Sequence, residues 1–253
     1  MNQTQDFTKG VIWKQLLFFF FPILIGSFFQ QLYNTVDTII VGQAVGTSAL
    51  AAVGSTGNLT NLIVNFYVGL STGASVVIAQ YYGAQNNKKI HQAVHTSYIL
   101  AIVSGILMML FGLFFSYQCL DAIGTPHDIL NDATLYMQLY FLCMIPGAIY
   151  NIGAGILRAV GDSKRPLYYL IVCSIVNVVF DFIFVVIFHQ GIAGAAIATV
   201  IAQSVCAILV TIQLMRTNEV YKLTLSKMIF HLPVLKKIIM IGAPAGIQST
   251  MYS

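Results

Sequence analysis

The chain has 253 residues, of which 58% are hydrophobic and only 8% are charged. Soluble globular proteins carry about 25% charged residues, so this composition excludes an ordinary soluble domain and indicates a protein embedded in a membrane. The net charge of +4 does not indicate nucleic-acid binding, because the basic residues follow a membrane topology. We therefore expect membrane lipids and small molecules as partners, and no nucleic acid.

Six complete hydrophobic spans follow one another, and each reaches the roughly 20 residues that a helix needs to cross a bilayer. A seventh begins near Lys237 and stops at Ser253. We expect no cleavable signal peptide, because the first run is too long for a signal segment and contains no small-residue cleavage site. The pattern predicts an all-α membrane protein whose complete spans are 13–42, 53–82, 92–118, 130–157, 166–189 and 192–215.

The basic residues fall on one side of this arrangement. All twelve lysine and arginine residues lie in the N-terminal arm or in the loops after spans two, four and six, counting the span edges. The loops after spans one, three and five contain none. The positive-inside rule then places the N-terminus and the even-numbered loops in the cytoplasm. We expect a multi-pass protein of the cell (inner or plasma) membrane.

The segment 216–236 connects the sixth span to the seventh. Between Tyr221 and Lys237, apolar residues recur at helical spacing with basic residues between them, which predicts an amphipathic helix along the membrane surface. The predicted division is a six-helix lobe over 1–215, a cytoplasmic linker over 216–236 and the start of a further helix over 237–253.

An internal repeat relates the seventh run to the first. Residues 14–27 align without gaps with residues 236–249, with lysine, proline and serine in register. An even number of spans separates the copies, so both would enter the membrane from the cytoplasm as parallel repeats. We expect one six-helix half plus the start of the next, with the C-terminal lobe missing.

Two acidic residues, Asp37 and Asp181, lie deep within hydrophobic spans. A charge at the bilayer centre costs at least about 2.5–3.5 kcal/mol, so such residues are usually functional. Asn177 lies one turn before Asp181 on the same face, and Thr199 lies at similar depth on span six. The four side chains would lie roughly 8–18 Å below the outer span ends at 1.5 Å per residue. They predict a shared cavity whose oxygen atoms bind Na⁺ or a proton, although Asn177 and Thr199 could equally form helix-packing hydrogen bonds.

The first span is longer than a straight crossing requires, and it contains Pro22. A proline inside a helix removes one backbone hydrogen bond and favours a kink. Gln30, Asn34 and Asp37 belong to a polar stripe on the same span. We interpret the span as a helix that faces the cavity and could bend on protonation, or as one with a static kink.

Two glycine pairs have the GxxxG spacing that allows close helix contacts. They are Gly42 with Gly46 and Gly69 with Gly73. The four cysteines are scattered singly and form no ligand spacing. We predict neither a catalytic centre nor a cofactor.

Five further segments stand out by their order and spacing along the chain. They are Pro22 through Asn34-Thr-Val-Asp37, Gly83-Ala-Gln-Asn86, Leu157 through Pro166, Asn177-Val-Val-Phe-Asp181 and Gly194 through Thr199. Taken together, these segments resemble the multidrug and toxic compound extrusion (MATE) transporters, especially the bacterial branch. The resemblance covers essentially the whole chain as an N-terminal lobe.

The resemblance implies a twelve-helix fold of two six-helix lobes around a central cavity. It also implies efflux of lipophilic, often cationic compounds, coupled to inward H⁺ or Na⁺. The family's cation site would be Asp37, Asn177, Asp181 and Thr199, with bending at Pro22. No metal other than Na⁺ at these four residues is expected. Arg158 would be a structural element of a cytoplasmic loop.

Two alternatives use similar residues. Related flippases of lipid-linked oligosaccharides share the architecture, but those that bind lipid phosphates generally need cationic groups in the cavity. No lysine or arginine lies in the outer part of any span, which favours a cationic cargo. An intramembrane aspartyl protease would also pair two aspartates, but Asp37 follows Val36 and Asp181 follows Phe180, unlike the YD and GxGD motifs of that class. We therefore expect a transporter and not an enzyme.

Overall fold

The computed structural model describes residues 12–251, and their regular structure is entirely helical. The predicted N-terminal arm, residues 1–9, and the last two residues lie outside this range. Five helices are long and apolar enough to cross a membrane, and a bent helix pair makes a sixth span. The predicted all-α, six-span bundle is confirmed. Its helices are α1 (Ile12–Ala44), α2 (Thr47–Gly83), α3 (Asn87–Ala122), α4 (His127–Phe141), α5 (Met144–Ala159), α6 (Lys164–Asp181), α7 (Gly191–Arg216) and α8 (Leu232–Met251).

Large apolar side chains cover the outer surface of the bundle. Phe114 on α3 is 71% exposed and Phe18 on α1 is 67% exposed. Soluble monomers rarely expose apolar patches of this extent. Small residues instead fill the interior, where Ala74, Ala148 and Ala198 are fully buried. The bundle is thus apolar outside and closely packed inside, as contact with lipid requires.

The fourth predicted span, 130–157, is two helices, α4 and α5, whose axes differ by 46°. Leu142 and Cys143 form the break, and their N–H groups donate to carbonyls three residues back. Pro146 has no N–H and cannot complete the helical bond to the Leu142 carbonyl. Hydropathy alone did not reveal this break, because the apolar run continues through it.

The segment after α7 is not the predicted amphipathic helix. Residues 217–231 are irregular apart from one short 3₁₀ turn, Leu225–Lys227, and α8 begins at Leu232. Tyr221 and Leu223 are buried while Lys222 between them is exposed, so the apolar residues alternate here with the period of an extended chain. The prediction was wrong because the buried apolar residues around Lys222 recur every two positions, as in an extended chain, and not with the period of a helix. The proposed boundaries at 216 and 236 stay a prediction.

Glycines allow α8 to lie directly against α2. A Cβ atom on Gly242 would lie 2.9 Å from the Gly69 carbonyl oxygen, and one on Gly73 would collide with the backbone of α8. The close contact predicted for the pair Gly69 and Gly73 is confirmed. Gly46 makes no such crossing: it lies between α1 and α2 with φ +112°, a conformation that favours glycine.

A short connection holds α6 and α7 side by side. After Asp181 the helix continues as a π-helical turn, Phe182–Ile187. The Gln190 N–H then donates to the Phe184 carbonyl at 2.9 Å, and Gly191 has φ +60°, so α7 begins at once. On the other side, α1 packs along α6. The three helices that carry the predicted site are therefore neighbours.

Candidate functional site

The structure brings the two predicted carboxyl groups together. Asp181, at the end of α6, is completely buried, and Asp37 on α1 is half-buried. Their carboxyl groups adjoin one another closely enough to interact directly. Asn177 and Thr199 are also buried and lie next to each other, with Asn177 Nδ2 donating to Thr199 Oγ1 at 3.5 Å. We call these four residues the carboxylate cluster.

Few hydrogen-bond donors reach the oxygen atoms of the carboxylate cluster. Thr199 Oγ1 donates its own proton to the Ala195 carbonyl at 3.1 Å. Four buried oxygens accept no hydrogen bond from the described part of the chain: both of Asp181, Oδ1 of Asp37 and Oδ1 of Asn177. Buried polar atoms are nearly always satisfied. A shared proton between the carboxyl groups, or a hard cation such as Na⁺ held by the oxygens, would satisfy them.

The backbone at Asp181 departs from a regular α-helix. The π-helical turn starts at the next residue, Phe182, and such turns occur frequently at functional sites. The change in helical winding re-aims the side chains that follow Asp181 relative to those that precede it. Hydropathy and residue spacing gave no indication of this turn.

Two tyrosines near the carboxylate cluster were not predicted. Tyr136 lies near both carboxyl groups and Tyr140 lies near Asp37. They are one helical turn apart on α4, with their ring centroids 6.1 Å apart. A pair of tyrosines at that spacing within an apolar span could have suggested a shared face. Their proximity to the two carboxyl groups could not be predicted from the sequence, because it depends on long-range packing between separate helices.

A cavity of about 440 Å³ lies between α1, α2, α5 and α6. Pro22, Gln30 and Asn34 line it, as predicted. The residues of the carboxylate cluster are not among those that line this cavity, and a chamber shared by all these residues stays a prediction. Tyr33 and Tyr140 belong to the wall, and Tyr140 is near Asp37. The polar residues of the wall that were not predicted include Asn61, Tyr67, Tyr150, Asn151, Arg158 and Gln203.

The α1 helix contributes polar side chains both to the cavity wall and to the carboxylate cluster. Pro22 lies inside the continuous helix and is buried against the cavity, while Asp37 lies four turns further on. Because Pro22 has no N–H, the helical bond at its turn is absent. The same helix thus carries both the cavity-lining residues and Asp37, and its missing backbone bond lies at the turn that precedes them.

The loop that precedes α6 contains one ion pair. Arg165 Nη1 lies 3.1 Å from Asp162 Oδ2, and the Arg165 N–H donates to Asp162 Oδ1 at 3.2 Å. Burial raises the pKa of the Asp162 carboxyl above its ordinary value, and the Arg165 contacts oppose that rise. This pair gives the predicted structural loop a fixed geometry. Arg158, expected to be structural too, points to the cavity instead.

Comparisons with known proteins agree with this architecture. The chain is 28% identical over 99% of its length to the probable multidrug resistance protein YoeA of Bacillus subtilis, and covers 56% of it. It is 20% identical to the multidrug export protein MepA of Staphylococcus saprophyticus, again over 99% of the chain and 55% of that protein. The chain thus spans about half the length of the curated relatives it matches.

Solved structures show the same lobe. A MATE transporter in complex with MaL6 superposes with a TM-score of 0.91 at 26% identity, covering 98% of this chain and 55% of that one. A MATE structure in the bent conformation gives a TM-score of 0.86 at 27% identity over 92% and 52%. The sequence profile of the MatE family matches residues 22–183, which is more than half of the chain. The chain therefore belongs to the MatE family of multidrug and toxic compound extrusion transporters.

Proposed function

We propose that this lobe, together with a second six-helix lobe, forms a secondary active transporter that exports lipophilic, often cationic drugs by antiport against H⁺ or Na⁺. The observation that carries the proposal is the pair of adjoining carboxyl groups, Asp37 and Asp181, whose buried oxygens have no donor among the described residues. Both relatives named above have names that refer to multidrug resistance or export.

In this proposal, the charges of the carboxylate cluster couple ion binding to the conformation of the transporter. Two adjoining buried carboxylates repel each other, and the arrangement is stable only while it holds a proton or a cation. Binding of either would draw Asp37 on α1 toward Asp181 on α6. Because α1 lacks one backbone bond at Pro22, it can bend there at lower cost than a regular helix. Ion binding and the shape of the cavity wall would then change together.

Positive-inside placement supports the accompanying topology. We place the N-terminus and the loops after α2, α5 and α7 in the cytoplasm of a cell whose plasma membrane holds the protein. A membrane-impermeant maleimide should then label Asp128→Cys from outside and Lys88→Cys only after permeabilisation. Labelling of the two sites from the same side would contradict the topology.

The decisive experiment measures ethidium efflux from proteoliposomes that contain the complete transporter. A pH gradient and a sodium gradient are imposed separately, so that the gradient that drives efflux identifies the coupling ion. Asp37→Asn and Asp181→Asn should each remove gradient-driven efflux. The exposed acid Asp128 supplies the control variant, Asp128→Asn, which should retain it. Normal gradient-driven efflux by both cluster variants would overturn the proposed coupling site.

The runner-up is a flippase of lipid-linked oligosaccharide or a related amphiphile. One observation favours it: Arg158 gives the cavity wall a positive charge. The outer parts of the spans contain no lysine or arginine, but Arg158 lies toward the opposite end of its span. Flipping of a fluorescent lipid-linked sugar in the same proteoliposomes, without ethidium efflux, would select this alternative. An aspartyl protease would cleave a model membrane peptide and would export no dye.

A further inference from the structure

Arg158 is the one charged side chain in the cavity wall, as far as the described residues show. It lies next to the last residue of α5, and its guanidinium group reaches back to α2, where Nη2 lies 3.4 Å from Ser71 Oγ. Side chains on a helix lean toward its N-terminus, so the charge lies deeper in the bundle than the Arg158 backbone.

The neighbouring helix fixes the depth of this charge. Ser71 precedes the end of α2 at Gly83 by three turns, which is roughly 18 Å at 1.5 Å per residue. Ser71 is itself buried and donates to the Asn151 carbonyl at 2.6 Å. Its oxygen lone pairs are therefore left to accept from Arg158. The guanidinium group is thus held well inside the bundle and beside the cavity.

The structure supplies no counter-charge for Arg158. Among residues 12–251, no carboxylate forms an ion pair with it, and the acid closest in sequence, Asp162, is already paired with Arg165. A guanidinium group has five N–H donors in a planar fork, and Ser71 Oγ at 3.4 Å is a neutral and distant acceptor. Arg158 is half-buried and faces the cavity, so its remaining donors are available to a ligand that enters the cavity.

We propose that Arg158 binds the carboxylate or phosphate oxygens of an amphiphilic substrate in this cavity. A planar fork that donates two parallel hydrogen bonds matches both oxyanions. Tyrosines Tyr67 and Tyr150 and apolar Leu170 in the same wall provide surfaces for the aromatic or aliphatic body of the molecule. Zwitterionic amphiphiles, which combine a cationic group with an oxyanion, fit this site better than simple cations. This inference rests on the proposed efflux function and specifies its substrate class.

The experiment compares two dyes that differ in one charge. Tetramethylrhodamine carries a free carboxylate, and its methyl ester does not. Binding of each to the purified complete transporter is measured by fluorescence anisotropy, and gradient-driven efflux of each is measured in proteoliposomes. The wild-type protein should bind the free acid more tightly than the ester. In Arg158→Gln this preference should fall by about tenfold or more, as expected for loss of a hydrogen bond to a charged group.

Further variants separate binding from folding. Arg158→Lys keeps the charge and should restore part of the preference for the free acid, since a lysine forms no planar fork. Lys88→Gln removes an exposed positive charge elsewhere on the lobe and should leave the preference as in the wild type. Equal weakening of both dyes in Arg158→Gln, or an unchanged preference, would overturn the proposal.

Competition identifies the source of the oxyanion. Dihexanoyl phosphatidic acid should displace the free-acid dye if lipid phosphate is the natural ligand, and dihexanoylglycerol should not. Displacement by a drug-like carboxylate alone would assign the site to drugs, and either result supports the oxyanion site. Failure of the efflux proposal would look different: neither dye would be exported under any gradient, whatever the binding preference.

Discussion

The carboxylate cluster and the Arg158 region both place ionisable side chains inside the bundle. They differ in the sign of the charge, in how deeply the side chains are buried and in the helices that support them. Asp181 and Asn177 are buried and are not among the residues that line the cavity. Arg158 forms part of the wall of a cavity of about 440 Å³, within the range of small-molecule sites. Under the proposed function, ion binding and substrate binding would occupy separate places in one lobe.

The helices that support the two regions differ as well. Ser71 and Ser75 of α2 donate to the Asn151 and Gly155 carbonyls of α5 at 2.6 and 2.9 Å. These bonds fix α5, and therefore Arg158, against α2. The carboxylate cluster instead depends on α1, which packs mainly against α6 and lacks one backbone bond at Pro22. The cavity wall is thus fixed on one side by hydrogen bonds between helices, whereas the carboxylate cluster includes the helix that contains Pro22.

The largest effects are expected on replacing Asp181, which should abolish transport and raise the stability of the protein. Asp181→Asn removes one of two adjoining buried carboxylates and leaves an amide that can donate to Asp37. At neutral pH without sodium, the repulsion is relieved and Tm should rise by about 2–4 °C, equivalent to roughly 1 kcal/mol for a protein of this size. Gradient-driven efflux should be lost. Thermal unfolding in nanodiscs and proteoliposome efflux measure the two quantities.

Arg158→Gln separates the effects of the two regions, because it removes an unpaired charge from the cavity wall but leaves the carboxylate cluster intact. Its Tm should rise or stay constant, and it should retain a response to the driving gradient. A lower Tm for Asp181→Asn together with retained efflux would mean that Asp181 is a structural residue with partners in the bundle.

A smaller effect is expected for Asn177→Ala. This change removes one oxygen ligand and the hydrogen bond to Thr199, while both carboxyl groups remain. The sodium concentration for half-maximal efflux should rise about tenfold, or the pH midpoint should shift, since a hydrogen bond to a charged group contributes roughly 1.5–3 kcal/mol. The maximal rate should change less than the apparent affinity for the ion.

Ser174 supplies a matched control for this prediction. It is buried one turn before Asn177 on α6, and its hydroxyl donates to the Leu170 carbonyl of its own helix at 2.9 Å. Ser174→Ala should leave the ion dependence of efflux unchanged. If both variants behaved alike, packing of α6 would account for the effect and Asn177 would not be an ion ligand.

The contrast between the regions also shows which features the sequence could predict. Asp37 and Asp181 were identified because a charge inside an apolar span is energetically exceptional, and helical spacing placed Asn177 beside Asp181. Depth alone did not place α1 beside α6. The resemblance to the family implied that residues of the two helices share one cation site. Their common cavity stays a prediction, because depth fixes a position along the membrane normal and leaves the direction of each side chain open.

Arg158 and the tyrosines of α4 were not identified for a different reason. Arg158 stands at the end of a span, where arginine is common and usually solvated. Its role in the cavity depends on Ser71 and on Asp162 being paired elsewhere, which are long-range contacts. The break before Pro146 re-directs α5 relative to α4 by 46°, so positions in the two helices cannot be related by a single helical period.

The smallest expected effect concerns the ion pair between Asp162 and Arg165, which lies between Arg158 of α5 and the rest of α6. Burial raises the pKa of Asp162 despite its contacts with Arg165. Its contribution to stability is therefore fully present below the unfolded pKa of about 3.9 and is lost as pH rises through the higher folded value. Asp162→Asn should flatten this fall in the Tm measured as pH rises from about 4, whereas the exposed control Asp128→Asn should leave the fall unchanged. If Asp162→Asn also released Arg165 and lowered the free-acid dye preference as much as Arg158→Gln, the two arginines would share one site and the separation between them would be wrong.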